Sequence, residues 1–130
     1  MKMLNKRIVF AALTFGLIGM SQVALAETRD LTKDEITAMF SDKTAWGKHA
    51  KKDNRTMVYF APDGTYKAKR LDQRDSSEGK WYANDENLLC MEKGGHTRCR
   101  RVVDKNGKIK KYKGTNLVWN YTKFKDGNKI

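Results

Sequence analysis

Apolar and polar positions divide the chain into three patterns. Residues 8–20 form an almost unbroken apolar run, and residues 31–40 carry apolar side chains at helical spacing. From Arg55 onward, short stretches rich in β-branched and aromatic residues are cut at close intervals by turn residues. The first pattern is that of an export signal. Lys2, Lys6 and Arg7 precede the apolar run, and Ala24-Leu25-Ala26 closes it with a small-x-small box. The run falls short of the roughly 20 residues that a bilayer span needs. Cleavage is expected between Ala26 and Glu27, leaving no transmembrane segment, and no cysteine near the box offers a lipid-anchor site. Residues 27–130 then make one domain.

The second pattern predicts one short N-terminal helix. Thr32 is placed to cap it, Glu35 reaches back to the Thr32 amide, and Leu31 and Ile36 occupy the staple positions. Ile36, Met39 and Phe40 continue one face, and the helix is expected to stop near Ser41. A helix this short needs its apolar stripe buried against another element.

The third pattern supplies that element. Strands are expected over Arg55–Phe60, Thr65–Arg70, Gly79–Asn84, Leu88–Lys93, His96–Val103, Lys108–Lys113 and Leu117–Phe124. Ala61-Pro62-Asp63-Gly64 and Asn106-Gly107 are tight turns, while Leu71 to Glu78 is polar and reads as a mobile loop. Short links join antiparallel neighbours. The fold class is therefore mainly β: an antiparallel meander of six to seven strands with one helix, rolled into a small barrel or strongly curved sheet.

Within the meander, Gly94-Gly95 makes a two-residue turn that sets Lys93 opposite His96 and Cys90 opposite Cys99. Alternation of pair types puts the two cysteines on a non-hydrogen-bonded site, where Cα atoms approach to about 4.5 Å, within reach of a disulfide. These are the only cysteines, and an oxidising compartment favours bridging them. A redox role would call for closer, exposed thiols. With His49 and His96 scattered, no paired spacing for zinc exists, nor any haem motif, so neither metal nor cofactor is expected.

The string Val58-Tyr59-Phe60-Ala61-Pro62-Asp63-Gly64-Thr65-Tyr66, followed by Gly79-Lys80-Trp81, Leu89-Cys90 and Arg98-Cys99, resembles small exported proteins of Proteobacteria catalogued as domains of unknown function. With Phe40 to Lys48, the resemblance spans most of residues 27–130. It implies an exported β domain and transfers no catalytic residue. A lysine-rich composition and the polar stretch Leu71 to Glu78 set this chain apart from that pattern.

Charge adds the character of the partner. Loss of three of the 27 basic residues with the signal leaves 24 against 15 acids, a net charge of +9 that favours anionic partners. Three pairs each share one face of a strand: Lys67 with Lys69, Arg98 with Arg100, and Lys108 with Lys110. These six are candidates for binding an anionic envelope component or an acidic protein, in the periplasm or outside the cell. Nucleic acid is disfavoured by export. A second reading is a small hydrophobic-ligand carrier whose barrel interior is lined by Trp46, Tyr59, Trp81 and Trp119. Asp63, Asp85 and Asp104 fall in turns, and there is no nucleophile elbow or metalloprotease spacing. A non-enzymatic binding module is expected ahead of an enzyme of unrecognised type. Oligomeric state is left open by the sequence.

Overall fold

The structure, a computed structural model, describes residues 28–130. The expected signal peptide, residues 1–26, lies outside the described residues. Strand β1 (Thr28–Asp30) leads into helix α1 (Lys33–Phe40), and then come β2 (Lys43–His49), β3 (Arg55–Phe60), β4 (Thr65–Arg70) and β5 (Ser76–Ala83). Strands β6 (Leu88–Lys93), β7 (His96–Lys105), β8 (Lys108–Lys113) and β9 (Asn116–Asp126) complete the chain. Each of β2 to β9 pairs antiparallel with the next, and β9 returns to pair with β2, so eight strands close into an up-and-down barrel. Closure removes the exposed edges that an open sheet would present. The short β1 extends the wall by pairing with the far end of β7.

The mainly β class, the single helix and the closed form agree with the sequence pattern, but the strand count is higher. The strands beyond those expected are β1 and β2, and β5 also begins earlier than expected. Lys43–His49 contributes Ala45, Gly47 and His49 to the interior, a small and mixed set without an apolar rhythm. Ser76–Glu78 was expected to be loop, yet it pairs with Lys69, Ala68 and Lys67 and begins β5. Both misreadings fall where the inward side of the wall is not hydrophobic, so that alternation carries no signal.

Helix α1 forms as its sequence dictates. Thr32 Oγ1 accepts from the Glu35 amide while Glu35 Oε1 accepts from the Thr32 amide, a complete capping box. Arg29 and the Thr32 amide together hold the Glu35 carboxyl down to about 2, so the cap is ionised at neutral pH. The staple residues Leu31 and Ile36 are both buried, and the helix lies over one end of the barrel against β2, β5 and β6.

Phe40, at the end of α1, fixes that arrangement. Its ring meets Phe60, Tyr121 and Phe124 edge-on at centroid separations of 5.0, 5.4 and 5.4 Å. Phe60 in turn packs edge-on against Trp81 at 5.3 Å. With Ala45, Val58, Leu89, Val102 and Ile109 these rings make the core. The core fills the helix-covered half of the barrel and gives way to a cavity towards the other end.

The cysteine hairpin takes the register set by its turn. Lys93 pairs with His96, Met91 with Arg98 and Cys90 with Cys99, and the two cysteines are bridged with Cα atoms 4.0 Å apart. Gly94 and Gly95 both take positive φ, which a side chain would oppose. Replacing Phe40 by Ala removes the hub of the aromatic cluster and should cost about 3–5 kcal/mol of stability. Equilibrium unfolding in guanidinium will measure this, and a loss below about 1 kcal/mol would show that the cluster does not hold the helix.

Candidate functional site

The inward positions of the strands can be followed from the core outward. Ile109 is buried and faces inward opposite Asp104, so Lys111, two residues on and opposite Val102, faces inward as well. By the same parity, Val102 brings Arg100 and Arg98 into the interior, opposite Leu89 and Met91. From β9, Trp119 pairs with both Lys111 and His49 and completes the ring. The result is a cavity of about 670 Å³ at the end opposite α1. Its wall is apolar at Tyr66, Leu89, Met91 and Trp119, and basic at Lys93, Arg98, Arg100 and Lys111, with His49 and His96 towards the rim.

Two glycines shape the apolar wall. A Cβ on Gly47 would overlap the Trp119 indole, and one on Gly79 would overlap the Tyr66 ring and the Glu92 carbonyl. Both aromatic side chains therefore pack directly against backbone that is bare of side chain. This is the close approach that glycine inside a strand commonly marks.

Lys111 is the most constrained of the cations. It is partly buried and lines the cavity. Its ammonium reaches Met91 Sδ at 3.9 Å and stands 5.9 and 5.8 Å from the ring centres of Trp119 and Tyr121. Ring faces attract a cation but do not neutralise it. Burial, and then repulsion from Arg100 and Arg98, lowers its pKa to about 8. Burial also pushes the neighbouring Tyr121 phenol well above its ordinary value. Arg100 donates to the Cys99 carbonyl at 3.1 Å, which leaves donors of its guanidinium free for other partners. The His49 Nδ1 accepts from the amides of Lys51 and Lys52, tying the rim loop to the wall.

The basic pairs expected from the sequence do not share a surface. Arg98 and Arg100 point into the cavity, whereas Lys67 and Lys69 on β4 and Lys108 and Lys110 on β8 point outward. Strands β4 and β8 are four places apart in a ring of eight, so the two outward pairs stand on opposite walls. Lys67 is also engaged by Glu78 at 3.8 Å. The four aromatic candidates divide in the same way. Trp119 lines the cavity and Trp81 is buried in the core with its Nε1 donating to the Ala61 carbonyl at 2.8 Å. Trp46 lies on the outside beneath Lys123, 4.3 Å from ring centre to ammonium, and Tyr59 is outside, donating to Asp42. Alternation within each strand fixes which side chains share a face but not which face is inward. Lys111 was missed for that reason, although Ile109 carried the phase.

The chain matches no protein-family model, no curated protein and no solved structure. The site must therefore be read from its own geometry.

Because Lys111 sheds its proton more readily in the folded protein than in the unfolded chain, stability should depend on pH in a defined window. Below about pH 8 the ammonium is present in both states and its enclosure disfavours the fold. Between about 8 and the ordinary value of 10.5 only the unfolded chain keeps the proton, so stability rises with pH. The rise is at most roughly 3 kcal/mol and is reduced by cavity water. Unfolding free energies from pH 7 to 10.5 should show this rise in the native protein and lose it in Lys111→Met. Parallel curves for the two proteins would place the ammonium in solvent.

Proposed function

We propose that the protein is a non-enzymatic binding module that carries a small ligand in the open half of its barrel. The observation that carries this reading is the 670 Å³ cavity left beyond the Phe40 cluster, since pockets for small molecules run from about 300 to 1,000 Å³. Its composition supports the same conclusion: apolar surface at Tyr66, Leu89, Met91, Val118 and Trp119 lies beside convergent polar groups, the combination that ligand pockets use for affinity and orientation. The rigid support is also in place, because Tyr66 and Trp119 are seated against glycine backbone and the strands bearing Arg98 and Met91 are joined by the disulfide.

The setting we infer is the periplasm or the cell exterior. The export signal read in residues 1–26 supports it, as does an intramolecular disulfide of the kind that persists in oxidising compartments. Among the described residues no helix is long and apolar enough to cross a membrane.

Binding to the cavity can be tested with an uncharged probe, N-phenyl-1-naphthylamine, whose emission rises on entering an apolar site. One equivalent should bind to the native protein. Met91→Trp, which fills the cavity from its wall, should reduce binding by about tenfold or more while the far-ultraviolet circular dichroism stays native. An absence of binding by the native protein, or undiminished binding by the filled variant, would exclude the cavity as the site.

A further inference from the structure

We propose that the ligand is a small amphiphile with an anionic head, such as a free carboxylate, whose head is held by Lys111, Arg100 and Arg98 and whose apolar body lies against Tyr66, Leu89, Met91 and Trp119. The inference rests on the reading above that the cavity is a ligand site, and adds the chemistry of the ligand to it.

The distribution of counter-charges is the first ground. Six ion pairs occur among the described residues, and they engage Arg29, Lys33, Lys43, Lys67, Arg70 and Arg101, cations on the exterior and at the ends of strands. None engages Lys93, Arg98, Arg100 or Lys111, and no carboxylate is among the described residues lining the cavity. The fold thus supplies acids to cations on the exterior and none to those of the cavity, of which Arg100 and Lys111 are partly covered by the barrel wall. Enclosed cations without a counter-ion disfavour a fold. A bound anion supplies the missing partner, and the gain is available only to a ligand that enters the barrel.

The second ground is the division of the wall. Arg98, Arg100 and Lys111 come from the adjacent strands β7 and β8, with Lys111 one diagonal step from Arg100. The apolar residues come from β4, β6 and β9. One ligand can therefore meet charge at β7 and β8 with Leu89, Met91 and Trp119 flanking it on β6 and β9 and the Tyr66 ring across the barrel. Depth then sets the orientation, since Arg98 is exposed at the mouth, Arg100 is partly covered, and Lys111, also partly covered, stands further in opposite the core residue Val102. The head passes Arg98 on entry and ends against Lys111, and the body occupies the aromatic wall. A membrane surface or a polymer cannot reach Lys111 without such an inserted group. The outward lysines on opposite walls offer no equivalent cluster.

Calorimetric titration of the exported form, residues 27–130, with decanoate, decanol and decyltrimethylammonium separates the possibilities. Decanoate should bind at least about tenfold more tightly than decanol, as expected for a charge-assisted contact, and the ammonium compound more weakly still. Lys111→Met and Arg100→Met should each abolish most of the preference for decanoate over decanol, with the far-ultraviolet circular dichroism unchanged. Equal affinity for decanoate and decanol would overturn this proposal and leave the carrier reading intact. No binding of any of the three, together with no binding of the naphthylamine probe, would remove both. Sedimentation with phosphatidylglycerol vesicles is the remaining arm. If Lys111→Met abolishes vesicle binding while free decanoate gives no heat, the site reads lipid head groups at a surface, and the free-amphiphile proposal is wrong.

Discussion

Phe40 meets Phe60, Tyr121 and Phe124 edge-on within one end of the barrel, and the rest of the structure depends on that contact. The helix that delivers Phe40 has two turns and little intrinsic stability. It is held by its capping box at one end and by the aromatic cluster at the other. By filling one half of the barrel with rings, the cluster spares the other half from having to supply the core. The strands are long enough to continue past it, and there they enclose space. A barrel of eight strands is just wide enough to be filled by its own side chains or to hold one small ligand. Here one end is filled by side chains and the other encloses a cavity.

The alternation along each strand then decides what the open half contains. A residue two places beyond a core position points into the cavity, so the identity of that residue is the chemistry of the site. Beyond Ile109 stands Lys111, beyond Val102 stand Arg100 and Arg98, and beyond Ala45 and Gly47 stands His49. Hydrophobic burial at one end thus fixes the placement of unpaired cations at the other, through nothing more than the period of the pleat. Lys111 has little freedom to escape by bending outward, because Trp119, Tyr121 and Met91 surround its ammonium.

Legibility in the sequence followed the same division. The capping box, the Gly94-Gly95 register and the disulfide could be read residue by residue, because each depends on local chemistry that spans fewer than about a dozen positions. Strands β3, β4 and β6 to β9 were legible because apolar, β-branched and aromatic positions cut by turn residues mark them. Strand β2 and the first residues of β5 were not, since their inward side chains are small or polar. Arg98 and Arg100 could be recognised as a pair. Their inward direction, and their junction with Lys111 rather than with Lys67 or Lys110, depended on which face of each strand the core selects. That choice is made by closure of the barrel, a contact between β2 and β9 about seventy residues apart. The glycines at 47 and 79 carried a signal that can now be read, as seats for Trp119 and Tyr66.

A barrel that is packed at one end and cationic at the other has a direction, and a ligand bound in it should have one too. Crystals of the protein grown with an ω-brominated carboxylic acid test this most directly, because anomalous scattering locates the bromine independently of the carboxylate. The carboxylate should lie within hydrogen-bond or ion-pair distance of Lys111 and Arg100, and the bromine against Tyr66 and Trp119. A ligand bound only on the outer lysines, or lying in the cavity with its carboxylate turned away from Lys111, would contradict that placement.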